Sequence, residues 1–215
     1  MSDRITVKRA VYEENDRQAA LLHESFAARG IFVVNILGGA GAGKTSSLKQ
    51  ILARVKDKPV AVIEGDISSD IDTRALKELG IEAYQIETGG DCHLNAPMIE
   101  AIVRRMSLKP QSWLFIENIG NLVCPAEFVI GEDLKLLVSS TAEGADKPYK
   151  YPLAFQKAAA VILTKEDIAP YVRFDEAYFR AGVKALNPEA PVFGVNALSG
   201  EGFDAASEWL AKARG

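Results

Sequence analysis

Gly38-Gly39-Ala40-Gly41-Ala42-Gly43-Lys44-Thr45 fits the pattern G-x-x-x-x-G-K-[ST], a loop that cradles phosphate. Its flanks give the pattern a mechanism. The apolar run at residues 30–37, GIFVVNIL, reads as a buried strand, and residues 46–55 read as the helix that follows. Between such elements the glycines let the backbone curl so that its N–H groups face phosphate oxygens. The helix N-terminus adds partial positive charge. Lys44 is placed to reach the β- and γ-phosphates, Thr45 to ligate Mg²⁺, and Ser46 to open the helix. The competing reading, a glycine-rich turn that binds nothing, does not account for eight residues set between the right two elements.

Outward from this loop, apolar runs and helical patterns alternate. Strands are expected at 59–64, 81–86, 112–118, 133–139, 159–164 and 191–195. Helices are expected at 11–29, 74–80, from Cys92 to Met106, at 174–186, and from the 196–202 loop to about Lys212. The alternation predicts an α/β fold: a doubly wound, mostly parallel sheet with helices on both faces. The economical division is a single domain over 1–215, with residues 1–29 a helical extension packed at the sheet edge. His23 is expected on the surface of that extension. Residues 119–125 and 141–148 read as loops, the second polar and mobile-looking.

The bulk numbers exclude several classes. The chain has 215 residues, 48% hydrophobic, a net charge of −4 and a pI near 5.4. That balance argues against nonspecific binding to nucleic acid or anionic membrane. There is no run long enough for membrane insertion and no signal-like apolar segment at the start, so a cytoplasmic protein is expected. Two cysteines in that setting are free thiols or metal ligands rather than a disulfide.

Acids at strand ends supply the rest of a nucleotide site. Glu117 closes the 112–118 run, where it would help order Mg²⁺, and Asp66 follows the 59–64 run, with Asp72 shortly after. Asp66 would assist at Mg²⁺, and Asp66 or Asp72 would orient the attacking water. Thr164-Lys165-Glu166-Asp167 looks like the guanine-reading element of GTPases. The Asp167 carboxylate can accept from guanine N1 and N2, a donor pair adenine lacks, while the Lys165 stem packs along the base. The competing role for Asp167 is a helix N-cap. Ala197 and Leu198 stand in the loop whose backbone N–H reads guanine O6, with Asn196 where serine is usual.

Cys92 and His93 are adjacent, and Cys124 lies beyond the Glu117 strand. Two thiols and an imidazole suit Zn²⁺ or Ni²⁺ by ligand softness, and three ligands leave a position for water, a carboxylate or a second subunit. Two buried cysteines and a core histidine are the plainer alternative.

Several stretches together resemble the HypB-type hydrogenase nickel-incorporation GTPases, of the SIMIBI class of phosphate-loop NTPases. They are Glu64-Gly65-Asp66 with Asp72, residues 88–94 (TGGDCHL), residues 116–125 (IENIGNLVCP), residues 143–152 (EGADKPYKYP) and the Thr164–Asp167 element. The resemblance implies a slow GTPase cycling between GTP and GDP, a GTP-dependent homodimer with Cys92, His93 and Cys124 at its interface, and nickel delivery during [NiFe]-hydrogenase maturation. It also implies two partners, a nickel-binding accessory protein and the hydrogenase large-subunit precursor. Departures are the Gly-Gly-Ala-Gly-Ala-Gly phosphate loop, Asn95 in place of an acid, and residues 1–29 with one histidine and no cysteine, where many relatives carry a tight nickel motif. Two other readings stay open: a urease-accessory-type nickel GTPase, which carries Cys-Pro-His instead, and a nucleotide kinase or binding module without metal.

Overall fold

The computed structural model describes residues 3–55, 57–66, 76–78 and 80–215, the side chains of residues 1–10 and 66 excepted. Seven strands form one sheet: β1 (Phe32–Gly38), β2 (Val60–Asp66), β3 (Glu82–Glu87), β4 (Trp113–Glu117), β5 (Leu134–Ser140), β6 (Ala160–Thr164) and β7 (Val192–Gly194). Their order is β3-β2-β4-β1-β5-β6-β7, and every pair is parallel. From β1 the chain winds out one way to β3, returns to β4, then crosses β1 to wind out the other way. Ligands of open α/β sheets bind at such a reversal, outside the strand C-termini. Because the sheet is wholly parallel, the exits of β1, β2, β4, β5, β6 and β7 share one edge.

Strands β4 and β6 are buried at every position, as sheets covered on both faces require. On one face α2 (Lys44–Leu52) and the last helix, Phe203–Arg214, pack Leu48, Ile51, Phe203 and Leu210 onto Val34, Ile36, Val138 and Ile162. On the other, α1 (Asp3–Ala28) and α3 (Ala96–Val103) cover Val33, Ile63, Leu114 and Ile116. Beside them, the helices Pro152–Lys157 and Glu176–Leu186 bring Phe155 and Phe179 onto Leu37, Val161 and Leu163. Each such buried aromatic or aliphatic side chain contributes about 1.5–3 kcal/mol.

Four expectations change. α1 is longer than the apolar pattern shows, and it lies over a sheet face rather than at the edge. It buries Ala19, Leu22 and Phe26 while Leu21 stays exposed. The helix after Cys92 begins only at Ala96, because Asn95 caps it by accepting from the Met98 amide at 3.0 Å with Pro97 in its first turn, and it ends at Val103. The 119–125 loop ends in a helical turn, α4 (Cys124–Glu127), opened by Pro125. The 141–148 stretch is a built corner. Ser140 and Glu143 form a reciprocal capping box over the turn Thr141–Glu143, and α5 (Lys147–Lys150) follows. The expected 74–80 helix is described only at 76–78, where it is helical, and at Gly80, which is a turn.

Candidate nucleotide and metal site

The phosphate loop leaves β1 at Gly38 and enters α2 at Lys44. Gly41 and Gly43 both take positive φ, 73° and 97°, which side-chain-bearing residues seldom adopt. Gly43 is the helix N-cap and makes no side-chain capping bond, so the first-turn amides remain oriented at the loop's concavity. Ala42 N–H closes onto the Gly39 carbonyl at 3.2 Å, and the Lys44 ammonium donates to the same carbonyl at 3.2 Å. Lys44 thus lies folded over the loop, 8% exposed. Ala40, Gly41 and Ser46 are exposed around it.

Thr45 Oγ1 donates to Glu117 Oε1 at 2.9 Å. These two residues are 72 apart in sequence and meet because β1 and β4 are neighbours in register, Ile36 beside Glu117. A hydroxyl and a buried carboxylate side by side suit a hard divalent cation on bound phosphate. Asp66 is the last residue of β2 on the same edge, and its side chain lies outside the described residues, as does the whole of Asp72.

On the base side, Thr164 Oγ1 bonds the Ala42 carbonyl at 2.6 Å and Lys165 Nζ bonds the Gly41 carbonyl at 2.9 Å. Lys165 itself has φ 60°, and its carbonyl accepts from Thr141 Oγ1 at 2.6 Å. This pins the exit of β6 onto the phosphate loop. Lys165, not Asp167, occupies the N-cap position of the turn Glu166–Ile168, so the capping role for Asp167 falls away and its carboxylate is exposed. In the last loop, Asn196 Oδ1 takes the amides of Leu198 and Ser199 at 2.8 and 3.3 Å, and Gln50 of α2 holds the Ala197 carbonyl at 2.8 Å. Asn196 therefore shapes the turn itself. Leu198 is almost fully exposed, and its amide is already engaged.

The metal-type ligands converge as well. One donor atom each from Cys92, His93 and Cys124 fall within 4.8 Å of one another, with Cys92 Sγ 3.5 Å from His93 Nδ1. Cys92 is exposed and Cys124 half-buried. The Cys124 thiol is raised above its ordinary range, first by its hydrogen bond with Cys92, then by burial. Burial lowers His93, so its ring is neutral near neutral pH and offers a lone pair. Two sulfurs and an imidazole at this spacing fit a soft or borderline cation and leave a coordination position to be filled from elsewhere.

Three contributors have no motif to announce them. Phe128 stacks on His93 with ring centroids 3.9 Å apart, and Tyr12 stacks on the other ring neighbour, Phe128, at 4.7 Å. Tyr12 Oη donates to Glu127 Oε2 at 2.6 Å, and that bond with a carboxylate pushes the phenol up to about 12. Phe128 and Glu127 lie within four residues of Cys124, which is the one sequence clue; Tyr12 is 115 residues from Glu127.

The nucleotide and metal loops touch. Gly38 forms an isolated bridge with Asn121, and a Cβ on Gly120 would sit 3.0 Å from the Ala40 Cα. Gly120→Ala is therefore expected to push the phosphate loop out of place. Urea denaturation should show a loss of about 1–3 kcal/mol, with weaker nucleotide binding by calorimetry.

The switch-point sheet, the phosphate loop and the strand-end acid define the CobW/HypB/UreG class of nucleotide-binding domains, whose family model matches residues 32–194. The hydrogenase maturation factor HypB of Escherichia coli (strain K12) is 43% identical over 201 residues, covering 93% of this chain and 69% of that protein. The chain belongs to the HypB family of hydrogenase maturation factors. The crystal structure of HypB from Archaeoglobus fulgidus superposes with a TM-score of 0.88 at 32% identity, covering 94% of this chain and 100% of that one. The crystal structure of HypB from Helicobacter pylori in complex with nickel gives 0.87 at 35% identity, covering 94% and 95%. Among the described residues no helix is long and apolar enough to cross a membrane.

Proposed function

We propose that this chain is a GTPase that couples GTP binding and hydrolysis to dimerisation and to delivery of nickel during [NiFe]-hydrogenase maturation. The observation that carries the reading is one short segment with two ends. Glu117 at its start bonds Thr45 of the phosphate loop, and Cys124 at its finish joins Cys92 and His93. The names of the relatives and the nickel-bound neighbour support the choice of process and metal.

In this reading the loop amides from Gly38 to Ser46 and the Lys44 ammonium neutralise the phosphates. Thr45 and Glu117, with Asp66, hold Mg²⁺, which supplies charge neutralisation at the β/γ-phosphates. Asp66 or Asp72 orients the attacking water. Catalysis is positional and electrostatic, and turnover is slow, as a switch with a persistent GTP state requires. Nickel is cargo, held by Cys92, His93 and Cys124; Zn²⁺ fits the same donors. A second copy of the chain fills the open coordination position in the GTP state, and hydrolysis loosens the pair. A nickel-binding accessory protein and the hydrogenase large-subunit precursor stand on either side of the transfer.

Asp167→Ala removes the carboxylate that accepts from guanine. GTP affinity should fall by roughly 10–100-fold, the worth of about 1.5–3 kcal/mol for hydrogen bonds to a charged group, while the weak affinity for ATP stays put. Equal losses for both nucleotides would refute Asp167 as the base reader. The overall reading is tested by equilibrium dialysis with nickel, with and without a non-hydrolysable GTP analogue, alongside light scattering. The analogue should raise the dimer fraction and change nickel affinity; indifference of both would refute the coupling.

A further inference from the structure

β1 and β5 are paired so that Asn35 stands beside Lys135. Both are polar and both are buried on central strands, Lys135 at 7% exposure. Removing an ammonium from water costs several kcal/mol unless it is paired and its protons are all engaged. Here they are. Lys135 Nζ donates to the carbonyls of Pro125 at 3.1 Å, Ala126 at 3.4 Å and Phe128 at 2.5 Å, and pairs with Glu132 at 3.4 Å. α4 is a four-residue turn, too short to satisfy its own C-terminal carbonyls, so the lysine serves as their donor.

The chain of bonds continues. Glu132 accepts from Ile130 N–H at 2.7 Å and from Asn35 Nδ2 at 3.3 Å. Asn35 Oδ1 accepts from Asn118 Nδ2 at 3.2 Å. Asn118 Oδ1 accepts from the Ile119 amide at 3.0 Å and the Leu94 amide at 3.1 Å. An unbroken buried network thus runs from the carbonyls just after Cys124 to the amide just after His93.

We propose that this network sets the metal site: Lys135 with Glu132 fixes the turn bearing Cys124, Asn118 fixes the entry bearing Cys92 and His93, and Asn35 joins the two. Lys135 and Asn118 are positioning residues, since neither is among the donor atoms that converge. The inference rests on the reading of Cys92, His93 and Cys124 as metal ligands. Groups that orient ligands in this way are worth about 10–100-fold in metal affinity.

The test uses the full chain carrying Lys135→Met together with Glu132→Gln, which removes both buried charges at once and leaves no orphan ion. Nickel affinity should fall about 10–100-fold, and the thiolate-to-nickel charge-transfer absorption should shift or weaken even at saturating nickel. GTP affinity should stay within about twofold of the parent protein, since neither residue touches the phosphate loop. Asn118→Ala, at the opposite end of the network, should alter the same absorption, and it carries the test by itself if the double variant does not fold. Cys124→Ala is measured in parallel. If Cys124→Ala loses nickel while the folded network variants keep the parent affinity and spectrum, the positioning role is overturned and the ligand assignment stands. If Cys124→Ala keeps the parent affinity too, the ligand assignment itself fails.

Discussion

Lys44→Ala is expected to lower GTP turnover by about 100-fold or more and to weaken GTP binding. The size follows from the place of the charge. One preorganised donor at a developing negative charge is worth on the order of 100–1000-fold in rate, and here the donor is a full cation at the mouth of a loop whose other contributions are neutral amides. One of its partners is the Gly39 carbonyl, a bond easily exchanged for phosphate oxygens, and the residue sits in the loop rather than in the hydrophobic core, so the folded chain should tolerate the loss. A thermal melt close to that of the parent, with hydrolysis near background, is the expected pair of results. Parent-like turnover in the variant would refute the phosphate-loop assignment.

Cys124→Ala should have the second large effect, on metal. Structural zinc sites yield about 10–16 kcal/mol over their ligands, so a single ligand carries on the order of 3 kcal/mol, about two orders of magnitude in affinity. Inductively coupled plasma analysis after dialysis should find less nickel and zinc than in the parent. The parent itself should show a pH dependence of fixed sign. The Cys124 thiol is raised, chiefly by its bond with Cys92 and by burial, so binding must displace a proton. Apparent affinity climbs as pH rises, on the order of tenfold per pH unit for each proton displaced. His93 adds little to that slope near neutral pH, because burial keeps its ring neutral. Affinity independent of pH would mean that the thiols are not the ligands.

The sheet was legible because its central strands, buried on both faces, are continuous apolar runs, and the seven strands alternate with helical patterns. The phosphate loop, Glu117 and the grouping of Cys92, His93 and Cys124 were legible as candidates because the chemistry they suggest needs particular residue types at particular spacings. Geometry that comes from distant pairing was not. Nothing around Lys135 or Asn35 signals that both side chains meet at Glu132, and Tyr12 reaches Glu127 only because α1 crosses the sheet face. Helix limits failed where a local side chain overrode the pattern, as when Asn95 delays α3 to Ala96. The corner after Ser140 read as mobile because its composition is polar, whereas its polar groups bind one another.

The Gly38–Asn121 bridge has a mechanical consequence. Two residues separate Asn121 from Cys124, three Cα steps that span at most about 11 Å when extended. Asn121 is fastened to the first residue of the phosphate loop, and Cys124 begins the turn that carries a thiol. The tether between them is short, and it travels through covalent bonds rather than through packing. Any change in the position of the loop that meets the triphosphate must be absorbed within that length or passed to the sulfur.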